Sequence, residues 1–223
     1  FLNINQNEKE FSDICHDQYS KTVIWGDSHA TSIFIGLKKF IPIDQFTSSG
    51  CPPILKTNFY KLPNCRQVNS YIMNIIKEKK YSQVILSADW VSHKSKYKLI
   101  SNTIKYLKNI GVRDIIIIGG LPQYHPSLPR RIISNKIDIN KSDFLIHDQI
   151  KIIKKDKEIK NLANKLGVRF ISIVDKICDM KKCKIRAGNS ETFTPITWDY
   201  GHFTLKGSQY VASLIIKEIN ISN

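Results

Sequence analysis

Two short segments near opposite ends of the 223-residue chain hold the residue types that make and break esters. One is Gly26-Asp27-Ser28-His29, and the other is Trp198-Asp199-Tyr200-Gly201-His202-Phe203-Thr204. A serine becomes a nucleophile only when a base takes its proton and a third group orients that base. The three-residue step from Asp199 to His202 lets one turn present the carboxylate to the Nδ1 side of the imidazole and leaves Nε2 for Ser28. Each half alone has a plain structural explanation, Ser28 as a helix cap and His202 as a satisfied residue ahead of a helix. Their meeting depends on the fold that lies between them.

Short apolar, β-rich runs alternate with segments of helical period, which is the pattern of a parallel sheet covered by helices, so the fold class is α/β. The runs predict strands over 22–25, 44–47, 83–87, 114–118 and 168–174, and helices over 30–40, 68–79, 96–109, 148–166 and 205–219. The run over 114–118, closed by Gly119-Gly120, reads as a central strand buried on both faces. Gly167 is placed to end a helix in the left-handed conformation. The Pro-rich stretch over 121–143 reads as a long excursion of the kind that borders a site. Ser28 then falls at the carboxyl end of the first strand and the start of a helix, where open α/β sheets bind ligands. There the helix amino terminus offers N–H groups to a developing oxyanion.

The formal charge of +15, from 34 Lys and Arg against 19 Asp and Glu, fits nucleic acid, an anionic membrane surface or an acidic glycan. No zinc-finger spacing, aromatic RNA-binding motif or basic-region heptad accompanies it, so nucleic acid gains no support beyond charge. No stretch approaches the roughly 18 to 20 apolar residues of a membrane span. The chain reads as one domain over 1–223 that opens without Met at Phe1-Leu2, with 1–21 as a lead-in from an upstream segment.

The cysteines form no CxxC pair and no Cys/His cluster, so no metal site is expected. Two close pairs, Cys51 with Cys65 and Cys178 with Cys183, fit loop staples in an oxidising compartment such as the periplasm, which leaves Cys15 over. Reduced cytosolic thiols fit the spacing as well. Asp27, Trp90 and Tyr124 are candidate substrate contacts, and His29, His125 and Arg130 are candidates to line the cleft. Trp25, Trp90 and Trp198 all border motif blocks, where either core packing or a sugar-stacking face would explain them.

In their order along the chain, a GDS block supplying serine and a final DxxH block supplying aspartate and histidine resemble the SGNH (GDSL-like) hydrolase superfamily. More narrowly, GDSHA at 26–30, SSGCPP at 48–53, ILSADW at 85–90 and DYGHFTLKGSQYVA at 199–212 resemble the SGNH domain attached to membrane-bound acyltransferase-3 proteins. Those proteins O-acetylate bacterial surface polysaccharides such as lipopolysaccharide. The resemblance implies a three-layer α/β/α sandwich around a mostly parallel five-stranded sheet of the SGNH or flavodoxin-like kind. It implies Ser28 as nucleophile, His202 as general base and acid, Asp199 as its orienting partner, and the backbone N–H groups of Ser28 and Gly50 as oxyanion donors. A Cys51–Cys65 bridge would stiffen the Gly50 segment, and a Cys178–Cys183 bridge would tie the loop before the histidine block.

By the same resemblance the acyl donor is a co-substrate delivered by an upstream transmembrane acyltransferase-3 domain, with no bound cofactor. The acceptor is a glycan, and the place of work is the periplasmic, membrane-proximal side of the inner membrane. The third block departs from the superfamily pattern, because SADW places Asp89 where an Asn side chain would donate to the oxyanion, and an ionised Asp can only accept. A carbohydrate esterase with the same triad and a silent glycan-binding module are the other readings.

Overall fold

The structure, a computed structural model, describes residues 1–12, 19–59, 61–139, 144–146, 149–179, 182–187 and 193–220. In chain order the elements are β1 (Thr22–Gly26), α1 (Ser28–Leu37), β2 (Asp44–Thr47), α2 (Cys65–Lys79), β3 (Gln83–Ser87), α3 (Ile100–Asn109) and β4 (Asp114–Ile118). They continue as α4 (Leu128–Ser134), β5 (Phe144–Ile146), α5 (Ile150–Leu166), β6 (Arg169–Ile171), α6 (Val174–Ile177), β7 (Lys182–Lys184) and α7 (Leu205–Ile219). Five strands form one sheet in the order β2-β1-β3-β4-β6, every pairing parallel, and β5 pairs with β7 in a separate antiparallel ribbon.

The period-2 alternation of side chains explains the three layers, because successive residues of each strand enter opposite cores. Ile24, Ile85, Ile116 and Ile118 pack with residues of α1, α6 and α7 on one face. Val23, Trp25, Val84, Leu86, Ile115 and Ile117 pack with α2, α3 and α5 on the other. The chain leaves β1 outward to β2 and returns to the other side of β1 with β3, so the strand order reverses between β1 and β3. Such a reversal is where open α/β sheets bind ligands, beyond the carboxyl ends of the strands.

The caps follow from residue type. Asp27 accepts from the His29 N–H at the start of α1, Thr204 accepts from Gly207 at the start of α7, and α5 ends at Gly167 with φ 60°. Several boundaries differ from expectation. The fifth strand over 168–174 shortens to Arg169–Ile171, because the Ser172 hydroxyl accepts from the Asp175 N–H and turns the chain into α6. The excursion over 121–143 contains α4, which has Pro in its first turn and buries Leu128 and Ile132 one helical turn apart. The expected 96–109 helix is split, a 3-10 segment over Lys94–Leu99 preceding α3.

Cys51–Cys65 and Cys178–Cys183 are both disulfide-bonded, and Cys15 lies outside the described residues. Among the described residues no helix is long and apolar enough to cross a membrane.

Candidate active site

Ser28 begins α1 with only Asp27 between it and the end of β1, and the two residues before it fix its position. A Cβ on Gly26 would fall 1.7 Å from the Ser87 carbonyl oxygen, so β1 and β3 can run this close only with glycine there. Asp27 follows, 1% exposed, with both oxygens in use. One accepts from the His29 N–H at 2.9 Å, and the other accepts from the Asp89 N–H at 2.9 Å and faces His93 Nε2 at 3.5 Å. Burial pushes the Asp27 carboxyl up, but the His93 hydrogen bond, the His29 and His93 charges and the Asp89 N–H together outweigh it and hold the group below the usual carboxylate range.

The other half of the site is a tight turn ahead of α7. Trp198 N–H donates to the His202 carbonyl at 3.0 Å and closes the turn. One Asp199 oxygen accepts from the N–H groups of Gly201 (2.9 Å) and His202 (2.7 Å), and the other lies 2.6 Å from His202 Nδ1. Burial raises the Asp199 carboxyl, and these three bonds lower it further than burial lifts it, so it is an anion at neutral pH. His202 Nε2 is 2.8 Å from Ser28 Oγ. Phe203 N–H donates to Ser32 Oγ at 2.6 Å, and Ser208 Oγ donates to the Ser32 carbonyl at 2.5 Å. Ser32 lies one turn along α1 from Ser28, so the helix that carries the serine also anchors the histidine turn.

Two backbone N–H groups are expected as oxyanion donors. Ser28 is the first residue of α1, so its N–H has no acceptor one turn back within the helix. Gly50 has φ 65°, and its N–H donates to no group among the described residues. The Gly50 segment is fixed by the Cys51–Cys65 bridge and by Asn69, which donates to the Pro52 and Ile54 carbonyls at 2.9 and 3.1 Å and accepts from Trp25 Nε1 at 3.0 Å. Leu2 holds its far side through bonds to Thr47 and Ser49.

Asp89 itself is fully engaged. Its carboxylate accepts from Ser92 Oγ at 2.5 Å and from Gln123 Nε2 at 2.9 Å while its N–H serves Asp27, so it acts as an anchor of the crevice wall and not as a donor.

Three expected substrate contacts are corrected by burial. Asp27 is 1% exposed, Trp90 is 1% exposed with Nε1 donating to the Ile118 carbonyl, and Tyr124 is 0% exposed, so none offers a surface to a ligand. His29 is also buried. Its Nε2 faces Tyr200 Oη at 3.3 Å, and its ring lies 5.3 Å from that of His202. Burial lowers its pKa more than the nearby carboxylates raise it. His125 is exposed and stacks on Tyr200 at 5.7 Å, and Arg130 is exposed on α4. Sequence reasoning missed His93, Gln123, Asn69 and Ser32. Gln123 alone had a signal, its place in the Pro-rich excursion. Among the described residues no group of three or more His, Cys, Asp or Glu is placed to hold a metal ion.

No curated protein sequence matches the chain significantly. In structure, the periplasmic domain of a Salmonella ser. Paratyphi A lipopolysaccharide acetyltransferase matches 92% of this chain and 85% of its own, with a TM-score of 0.78 at 24% identity. A protein of Agrobacterium tumefaciens str. C58 described as an arylesterase matches 90% of this chain and 98% of its own, with a TM-score of 0.55 at 12% identity. One of Desulfitobacterium hafniense DCB-2 described as lipolytic and of the G-D-S-L family covers 89% and 99%, with a TM-score of 0.54 at 9% identity. These similarities establish the fold. By sequence, residues 4–217 match the family described as the SGNH domain fused to AT3 domains, and the chain belongs to that family.

Proposed function

We propose that this domain is an O-acyltransferase, with acetyl as the group transferred, that carries it on Ser28 to a hydroxyl of a bacterial cell-surface polysaccharide. The observation that carries the reading is the unbroken relay from Asp199 to His202 to Ser28, at 2.6 and 2.8 Å, at the carboxyl end of β1. It is supported by a family whose members are fused to AT3 domains, and by likeness to a domain named for lipopolysaccharide acetylation. An AT3 domain upstream would deliver acetyl groups, and the work would be done on the periplasmic side of the membrane.

In the first half-reaction Ser28 Oγ attacks the acetyl carbonyl and its proton passes to His202 Nε2. The carbonyl oxygen becomes an oxyanion that the N–H groups of Ser28 and Gly50 receive, and Asp199 stabilises the imidazolium. The carbonyl re-forms, the donor leaves with the proton from His202, and acetyl remains on Ser28. In the second half-reaction a sugar hydroxyl gives its proton to Nε2 and attacks the ester, and Ser28 leaves with that proton restored.

A carbohydrate esterase would use the same steps with water in place of sugar. The partial openness of the site, with the His202 and Asp199 side chains 19% and 23% exposed, favours keeping that reading. Incubation with an acetyl donor and an oligosaccharide separates the two. Acetylated sugar is the expected product, and free acetate alone at every acceptor concentration would establish the esterase.

A further inference from the structure

The three tryptophans all border motif blocks, yet the fold treats them in two ways. Trp25 and Trp90 are 0% and 1% exposed, and each Nε1 donates to a buried partner, as core tryptophans do. Trp198 is 62% exposed. Its ring lies over the imidazole of His202, with centroids 5.9 Å apart and 23° between planes. The hydrogen bond from its backbone N–H to the His202 carbonyl holds the Trp198 main chain in the same turn as His202.

We propose that Trp198 is the floor of the acceptor subsite and binds a pyranose ring by its apolar C–H face. The proposal rests on the acyl-transfer reading above and names where the acceptor sits. A hydroxyl that gives its proton to His202 must come within about 2.6–3.2 Å of Nε2. The ring bearing that hydroxyl then lies alongside an indole whose centre is 5.9 Å from the imidazole centre. The negative π-face of the indole attracts the partly positive C–H bonds of one sugar face, while the hydroxyls at the sugar's rim stay free for water and polar groups. Neither an acyclic polyol nor water has that face. Trp198 therefore favours sugar over water at the second half-reaction, the step at which a transferase and an esterase part.

The fold supplies a direct readout, because Trp198 is the one tryptophan of three that solvent reaches. In Ser28→Ala protein, which cannot turn over, acrylamide quenching of tryptophan emission is measured while methyl pyranosides or sorbitol are titrated. Pyranosides are expected to protect the quenchable fraction and sorbitol is not, and Trp198→Ala removes the quenchable fraction itself. In protein that retains Ser28, acetyl from p-nitrophenyl acetate is partitioned between water and methyl pyranoside.

There Trp198→Ala is expected to cut transfer relative to hydrolysis about tenfold, and Trp198→Phe, which keeps a ring, to restore most of it. Equal loss of p-nitrophenol release and transfer would mean that the indole acts on His202 and would overturn the subsite, as would an unchanged ratio or the same protection by sorbitol. Saccharide protection without any acetyl on Ser28 would keep the subsite and remove the transferase.

Discussion

Ser28 and His202 meet at 2.8 Å, but they arrive from opposite kinds of surroundings. The serine is held by the core. Gly26 is pressed against the Ser87 carbonyl, Asp27 is buried with both oxygens engaged, and α1 is fastened to α7 through Ser32 and Ser208. The histidine is held by a turn that is open to solvent on one side, with Trp198 62% exposed and the Asp199 side chain 23% exposed. Its geometry comes from short local bonds within residues 198–202 and from long-range ties, among them Phe203 to Ser32 and Tyr124 to the Tyr200 carbonyl. A serine built into the core cannot shift without disturbing the sheet, whereas a histidine on an exposed turn can be altered with the sheet intact. Changes on the serine side should therefore cost stability first, and changes on the histidine side should cost rate first.

The largest expected effect is on the serine side. Gly26→Ala would set a methyl group 1.7 Å from a backbone oxygen, and the expected outcome is no soluble folded protein, read by circular dichroism and gel filtration. A folded, active Gly26→Ala would break the comparison. On the histidine side, Asp199→Asn keeps the shape of the turn but loses the anion behind the imidazolium. Its expected outcome is a fall of about 10⁴-fold in kcat with the fold retained, measured as ester turnover beside thermal melting.

Asp27→Asn comes next. It keeps one acceptor of two, so a loss of about 1–3 kcal/mol is expected at neutral pH in urea unfolding. The folded pKa of Asp27 lies below the ordinary value of 3.8, so its stabilisation is present above 3.8 and is lost as pH falls through the folded value. The gap between wild type and variant should close in that acid range, and a constant gap would assign the loss to packing instead. The smallest effect is expected for Ser32→Ala, where the Phe203 N–H loses its acceptor. About 1 kcal/mol of stability and a modest fraction of the rate should go together, since this hydroxyl ties the helix of Ser28 to the segment that follows His202.

Legibility in the sequence follows the same division. The meeting of Ser28, His202 and Asp199 was legible because each half is a local pattern, a serine at a strand-to-helix junction and a carboxylate three residues before a histidine. The sheet was legible because strands buried on both faces need continuous apolar runs, as over 114–118. The frame around Asp27 was not, because its partners Asp89 and His93 are far away in the chain and meet it only across the β1–β3 crevice. Burial misled in the same way. Trp90 and Trp198 both sit beside motif residues, and only the fold shows that one is core and the other lies open beside His202. The final strand was overestimated because Ile173 and Val174 suit a strand, while the Ser172 hydroxyl had already turned the backbone toward α6.

The central claim is that Ser28 carries the acyl group, and intact-mass spectrometry tests it most directly. Wild type, Ser28→Ala and Asp199→Asn would be exposed to p-nitrophenyl acetate and sampled over time, with the modified peptide located by fragmentation. One acetyl group is expected on wild type at Ser28, with slow and incomplete labelling of Asp199→Asn and none at this site in Ser28→Ala. Acetylation that proceeds equally in Ser28→Ala, or that maps to other residues in the wild type, would contradict the claim.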